Sequence, residues 1–327
     1  MILVTGGAGY IGSHTVKQLI GNGYEVAVFD SLELGHAESV PGIEVIHGDL
    51  RNPAEINAAF RNRMIEAVVH FAGYSSVGDS MVHPDEYFRC NAAGGLNLLD
   101  AMNANGVGKI IFSSSAATYG EPQYMPIDED HPQNPTNAYG ESKLMFEKIL
   151  KWYDSAFGIK SISLRYFNAC GADPGGNMGE DHRREQHLIP LVLQTALGQR
   201  ENIKIFGTDW DTPDGTCIRD YIHVTDLSNA HILALRALER GAFSTAYNLG
   251  NGGGHSVRQV IETAETVVGH RIPKVEAPRR PGDPARLVAS SDKLREELGW
   301  IPQFPELHTI IEHAWKWHSS HPNGYRK

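Results

Sequence analysis

Tyr139 and Lys143 stand four residues apart in Tyr139-Gly140-Glu141-Ser142-Lys143, inside a stretch, Ala138 to Tyr153, that reads as a helix. At that spacing the two side chains share one helical face. A free tyrosine titrates near 10 and is a poor base at neutral pH. A neighbouring ammonium favours the phenolate. Bringing the pKa down to about 7 takes ~4 kcal/mol of preferential stabilisation. The product is a base able to take a proton from an alcohol. Tyr and Lys fall at this spacing on many solvated helix faces, so the pair gains meaning only from the elements that position it.

Those elements begin at the first residues. Ile2 to Thr5 reads as a short buried strand, Gly6-Gly7-Ala8-Gly9-Tyr10-Ile11-Gly12 as a turn, and Ser13 to Asn22 as a helix. Strand, glycine turn and helix in that order form the context of a dinucleotide site. Gly6 suits the tight turn, Gly9 lets backbone approach a pyrophosphate, and Gly12 lets the helix pack on the strand. The helix N-terminus offers free amides and a partial positive charge to the phosphates. A second strand, Glu25 to Phe29, ends in Asp30, eighteen residues after Gly12, where ribose hydroxyls are held. No Arg or Lys occurs from Asp30 to His36. A carboxylate there repels a 2′-phosphate, so NAD is expected rather than NADP. A positively charged nicotinamide ring would then join Lys143 in favouring the phenolate.

Further strands are expected at Glu44 to His47, before Gly48-Asp49-Leu50; at Ala67 to Phe71, before Ala72-Gly73; at Ile110 to Ser113, running into Ser115; and at Ser161 to Tyr166. Strands alternating with helices predict an α/β fold, a doubly wound parallel sheet of Rossmann type. Ligands in such sheets bind at the carboxyl ends of the strands, where each of these residues falls. Two helices flank the Tyr139 stretch. Asn91 to Asn105 carries Leu96, Leu98, Leu99 and Met102, and the Tyr139 helix carries Met145, Ile149, Trp152 and Tyr153. Both stripes are expected to face the core. A second apolar face would pair with its twin in a homodimer.

After Asn168 the chain changes character. Gly171 to Gly179 is glycine-rich loop, Gln186 to Leu197 reads as a helix, Lys204 to Phe206 as a strand, and Ala277 to Arg286 as a basic, proline-rich loop. The expected organisation is an NAD-binding domain over residues 1–170, with return segments near 221–250, and a smaller, interleaved α+β substrate domain over 171–327.

The net charge of −10 and pI of about 5.9 argue against nucleic acid or an anionic membrane as partner. Cys90, Cys170 and Cys217 lie far apart with no CxxC, which suits a reducing cytoplasm. Met1-Ile2-Leu3-Val4-Thr5 is too short an apolar run for a signal peptide, and no run of 18 apolar residues suggests a membrane span. Asp181, His182, Glu185 and His187 lack the HExxH spacing of a metal hydrolase and read as a polar loop leading into a helix, so no metal is expected.

The glycine motif, Asp30, Ser115 near Tyr139 and Lys143, and Leu164-Arg165-Tyr166-Phe167-Asn168 together resemble the extended short-chain dehydrogenases. Gly6 to His14, Ile218-Arg-Asp-Tyr-Ile-His-Val224, Ala277-Pro-Arg-Arg-Pro-Gly-Asp283 and the ending Trp315 to Tyr325 resemble, within them, the UDP-glucose 4-epimerase family. The likeness covers essentially the whole chain. It implies interconversion of UDP-glucose and UDP-galactose through a transient 4-keto sugar, with bound NAD and no net redox change.

Roles follow from the same resemblance. Tyr139 would be the base, Lys143 its tuner and a holder of the nicotinamide ribose, and Ser115 a partner of the sugar 4-hydroxyl. Gly6, Gly9, Tyr10, Ile11, Gly12, Asp30, Asp49, Leu50, Phe71, Ala72, Gly73, Asn91, Ser113, Tyr166 and Phe167 would complete the NAD site. Asn168, His187, Leu188, Arg219 and Arg280 would bind substrate, the arginines taking the diphosphate. Phe206 would face uracil and Asp283 the uridine ribose. Ser75 stands where many members read Lys, and Cys90-Asn91 where many read Asn-Asn. Leu287 holds a position whose bulk is thought to sort plain from N-acetylated hexoses, which leaves N-acetylated UDP-sugars open as second substrates. A 4,6-dehydratase would carry an Asp-Glu pair after Ser115, where Ala116-Ala117 stand. A non-catalytic NAD sensor would have no reason to keep both Tyr139 and Lys143.

Overall fold

The computed structural model describes residues 1–280 and 282–325; Pro281, within the Ala277–Asp283 motif, lies outside them. Seven strands form one all-parallel sheet: β1 (Ile2–Thr5), β2 (Val26–Asp30), β3 (Val45–His47), β4 (Ala67–His70), β5 (Lys109–Ser115), β6 (Lys160–Tyr166) and β7 (Thr245–Leu249). Their order is β7-β6-β5-β4-β1-β2-β3. β1 and β4 are wholly buried and rich in Val, Ile and Leu, as strands covered on both faces must be. The order reverses between β1 and β4, which opens a crevice at their carboxyl ends.

Helices cover both faces. Tyr10–Gly21 and Val224–Glu239 pack on one face around Val16, Leu19, Leu227, Leu235 and Trp300. Pro53–Phe60, Gly95–Ala104 and Ala138–Phe157 pack on the other around Ile56, Leu98, Leu99, Phe112 and Phe146. A third core, built from Ile189, Leu193, Ile205, Val260, Ile261, Ile310 and Ile311, draws only on residues from Cys170 onward. Beside it the strand Ile203–Phe206 pairs in parallel with Lys274–Ala277.

Several boundaries differ from the sequence expectation. β5 runs on to Ser115 rather than stopping at Ser113, because Ser114 and Ser115 pair with Arg165 and Tyr166 of β6. The first helix starts at Tyr10, not Ser13: Gly9 is its extended N-cap, and the Ser13 amide donates to the Gly9 carbonyl at 2.9 Å. The expected helix from Asn91 is instead a π-helical turn, Phe88–Gly94, followed by Gly95–Ala104. Met145 and Trp152 do not face the core: they are 38% and 73% exposed, and Leu144, Phe146 and Leu150 point inward in their place. Leu96 is likewise 38% exposed, whereas Leu98, Leu99 and Met102 are buried.

Four histidines are packed inside as neutral groups. Burial pushes His14 and His231 down to about 4, and His70 and His223 down to about 3. The unfolded chain titrates them near 6.5. Below that pH the unfolded state binds protons that the folded state refuses, so stability falls by ~1.4 kcal/mol per pH unit for each group. The urea midpoint should therefore drop steeply between pH 7 and pH 5. A midpoint level or rising over that interval would contradict the burial of these rings in neutral form.

Candidate active site

The Ala138–Phe157 helix starts on a local device. Asn137 is extended, and its side-chain oxygen accepts from the Gly140 amide at 2.8 Å, which fixes the first turn. Tyr139, Lys143 and Glu147 then follow at four-residue steps along the sheet-facing side. Gly140 sits in a helix interior, where glycine costs stability. A Cβ there would lie 2.4 Å from the Ala117 carbonyl oxygen. Only glycine lets the helix close on the 3-10 turn Ala116–Thr118 that follows Ser115.

Glu147 anchors this helix to the sheet. Its carboxylate accepts from Arg165 Nε at 3.0 Å and Nη2 at 2.6 Å and from the Ser114 hydroxyl at 2.5 Å. Arg165 Nη1 also donates to the Tyr119 hydroxyl at 2.9 Å, and Tyr119 donates to Asn248 of β7 at 2.7 Å. The Glu147 and Arg165 side chains are 9% and 8% exposed.

Lys143 is buried, and its ammonium donates to the Ser113 carbonyl at 2.9 Å. It lies 5.0 Å from the Phe112 ring centroid and 5.9 Å from that of Tyr139. Burial pushes Lys143 down to about 8. Burial also pushes the Tyr139 phenol above its ordinary value, with only the Ser115 hydroxyl acting against it. The expected lowering of the phenol by Lys143 is therefore not a property of the chain by itself: burial sets the direction, and the Ser115 hydroxyl rather than the ammonium opposes it. Ser113 and Tyr166 share a hydrogen bond between their hydroxyls beside the pair.

These groups line a cavity of about 1360 Å³ that runs from the glycine turn to the loops after residue 180. At its dinucleotide end Asp30, 7% exposed, accepts from the Ala8 amide at 2.9 Å and the Leu32 amide at 2.8 Å. A Cβ on Gly12 would lie 2.2 Å from the Gly6 carbonyl oxygen, whereas one on Gly9 would meet nothing nearer than 3.4 Å. The turn is thus closed on its helix side and open toward the cavity, and the Tyr10–Gly21 helix carries no side-chain cap on its first amides. This cradle fits a pyrophosphate.

At the far end Asp283 lies between two guanidinium groups. Arg280 Nε donates to it at 2.9 Å and Arg219 Nη2 stands 3.6 Å away. The Arg280 guanidinium sits 5.0 Å from the Phe206 ring centroid. The Leu188–Ala196 helix begins at the cavity wall with no side-chain cap on its first amides, and His187, Leu188 and Leu287 line the same wall. The Asn168 side chain donates to the Asp220 carbonyl at 2.8 Å.

Of the residues expected to hold cofactor or substrate, Asn91 alone does not line the cavity. It is 3% exposed; its amide donates to the Ser142 hydroxyl at 2.9 Å and the Tyr74 carbonyl at 3.0 Å, and accepts from the Tyr74 amide at 2.8 Å. It ties the π-helical turn to the Tyr139 helix, and Cys90 takes the cavity position, its thiol pushed up to about 11 by burial. Sequence reasoning also missed Arg51, which pairs with Asp49 and, at 2.9 Å, with Glu33, and donates to the Tyr74 hydroxyl at 3.0 Å along the wall beyond Asp30. Its only sequence signal was its place after the third strand. The Glu180–His187 segment folds so that two glutamates and two histidines converge, a cluster that linear spacing did not reveal.

A sequence profile of the NAD dependent epimerase/dehydratase family matches residues 2–250. The chain is 54% identical over 324 residues to a UDP-glucose 4-epimerase of Halalkalibacterium halodurans, covering 99% of this chain and 97% of that one. A crystal structure of a UDP-glucose 4-epimerase superposes with a TM-score of 0.98 at 54% identity, over 100% of this chain and 99% of the other. The UDP-glucose 4-epimerase of Bifidobacterium longum, solved with NAD+ and UDP, superposes with a TM-score of 0.93 at 38% identity, over 99% of both chains.

Proposed function

The chain belongs to the NAD dependent epimerase/dehydratase family, and we propose that it interconverts UDP-glucose and UDP-galactose by inverting C4 through a transient 4-keto sugar, with NAD as bound cofactor. One observation carries this reading. A single cavity joins the Tyr139–Ser115–Lys143 group to the Arg219–Asp283–Arg280 group and Phe206. Cations and an aromatic face suit a nucleoside diphosphate, and a hydroxyl base suits the sugar attached to it.

Gly6, Gly9, Gly12 and Asp30 would hold NAD at the glycine end, with Tyr10, Ile11, Asp49, Leu50, Phe71, Ala72, Gly73, Ser113, Tyr166 and Phe167 around it. When bound, oxidised NAD would supply the hydride acceptor and donor for C4, and its positive charge would favour the Tyr139 phenolate. Tyr139 accepts the proton of the 4-hydroxyl and gives it back. Ser115 orients that hydroxyl and opposes the burial that raises the phenol, and the Lys143 ammonium, one helical turn away, would add to the charge of the bound nicotinamide in favouring the phenolate. Remote contacts at Arg219, Arg280, Phe206 and Asp283 hold the UDP handle, so the hexose can turn over without leaving. A dehydratase needs acids directly after Ser115, where Ala116 and Ala117 stand. Purified protein should convert UDP-galactose to UDP-glucose with no added reductant, and a parallel assay with UDP-GalNAc decides whether Leu287 admits an N-acetyl group. Accumulation of a dehydrated or decarboxylated sugar would replace this reading with a lyase.

The NAD site is assigned to residues 1–170 with the return segment near 221–250, and the sugar-nucleotide site to the smaller unit from 171 to 327, which has its own core. The exposed Leu96, Met145 and Trp152 on two neighbouring helices suit pairing with a second copy. Trp152→Glu should convert a dimer to a monomer by light scattering after gel filtration. A wild-type chain that is already monomeric at micromolar concentration sinks the homodimer.

A further inference from the structure

One cluster, which shares His187 with the expected substrate wall, has a chemistry that the proposed reaction does not use. Glu180 and Glu185 place two carboxylates side by side with side chains 2% and 4% exposed. His182 Nδ1 lies 3.3 Å from Glu180 Oε1 and 3.3 Å from Glu185 Oε2. His187 Nδ1 lies 2.6 Å from Glu180 Oε1 and 3.3 Å from Glu185 Oε1. One ligand atom from each of the four lies within 4.8 Å of every other.

Two buried carboxylates within 4.8 Å of each other call for compensating positive charge. The sequence places Arg183 and Arg184 inside this segment, yet neither turns to the pair: Arg183 donates to the Leu32 carbonyl at 3.3 Å and Arg184 faces Asp79 at 3.7 Å. Among the described residues, the ion-pair partners of Glu180 and Glu185 are the two imidazoles alone. Tetrahedral zinc with bonds of about 2.0–2.2 Å sets its ligand atoms about 3.3–3.6 Å apart. Three of the four Nδ1-to-carboxylate distances have that length, but the two at Glu185 run to different oxygens, so that carboxylate must turn to present one oxygen to both imidazoles, and the 2.6 Å contact of His187 with Glu180 must open by about 1 Å. Two imidazoles with two carboxylates are the donor set of a borderline divalent ion, zinc before calcium or magnesium.

We propose that Glu180, His182, Glu185 and His187 bind one zinc ion and that this ion clasps the segment between the Asp173–Gly179 turn and the Leu188–Ala196 helix. The clasp lies against the dinucleotide end of the cavity: the His182 ring meets Tyr10 edge-on at 6.3 Å between centroids. Both histidines line the cavity wall. The role is structural, since four protein ligands leave no open position for substrate.

The test is to strip the full chain with a chelator, titrate it with zinc chloride against a chromogenic competitor, and repeat with cobalt chloride. One zinc per chain is expected, with the strong visible bands of four-coordinate cobalt and a higher melting temperature in excess zinc. His182→Ala/His187→Ala should weaken zinc binding on the order of 100-fold or more, while His270→Ala/His308→Ala, on the surface, should leave it unchanged. If the first double variant fails to fold, the cobalt spectrum of the unmodified chain decides alone. Weak six-coordinate bands, no stoichiometric binding at micromolar zinc, or loss of binding in the His270/His308 variant would each overturn the assignment.

Discussion

Tyr139→Phe is expected to lower kcat for UDP-galactose by about 10³-fold, within the range a general base contributes, while UDP binds as before. The substitution removes one oxygen from a ring that stays packed: Tyr139 is 8% exposed and its ring meets Tyr87 edge-on at 6.4 Å. It leaves Arg219, Arg280 and Phe206 untouched at the other end of the cavity. The loss should therefore fall on kcat rather than on the affinity for UDP. Steady-state kinetics with UDP-galactose, beside calorimetric titration with UDP, separate the two. A variant that turns over within tenfold of the parent shows that another group takes the proton.

Glu147→Ala should cost ~3–5 kcal/mol of folding stability, the range measured when one partner of a buried ion pair is removed. Arg165 would keep only the Tyr119 hydroxyl among its present partners, with its charge enclosed at 8% exposure. Removing both charges by Glu147→Leu/Arg165→Leu should cost less than the single change, because no uncompensated ion remains. Urea denaturation at pH 7 checks both. A Glu147→Ala chain within 1 kcal/mol of the parent, as judged at ~1.4 kcal/mol per tenfold change in the folding constant, sinks the anchoring role. Because Tyr139 and Lys143 precede Glu147 on the same helix, the weakened anchor should also reduce activity while UDP binding persists.

The sheet was legible because its strands are short apolar runs, each ended by a residue suited to ligand contact. Six of the seven strands and their parallel direction follow from that alternation, whereas their order across the sheet comes from the structure. Strand β5 was cut short because serines read as loop residues, although Ser114 and Ser115 are buried and paired in the sheet. The outward turn of Met145 and Trp152 was illegible for the opposite reason: their spacing is helical, and periodicity finds an apolar face without saying what covers it. The site residues were legible where the motif fixes them at a strand end. Which of Cys90 and Asn91 faces the cavity was not legible, because a π-helical turn takes more residues than an α-helical one and so shifts which side chain falls on a given face. The balance of pKa shifts at Tyr139 was also out of reach, since desolvation depends on packing that no local spacing encodes. The Glu180–His187 cluster is likewise a product of the fold.

The outer edge of β6 is covered by a strand encoded 79 positions later, counting from Tyr166 to Thr245. During vectorial synthesis that edge, with its unsatisfied amides and carbonyls, waits for residues up to Leu249 to leave the ribosome. At ~5–20 residues per second the wait lasts about 4–17 s. The nascent amino-terminal portion thus passes through a stage in which a parallel strand is available to any extended peptide nearby. The chain gains its resistance to such pairing only when its carboxyl-terminal portion returns, so a gene shortened after residue 170 would encode a sticky intermediate in place of a small autonomous protein.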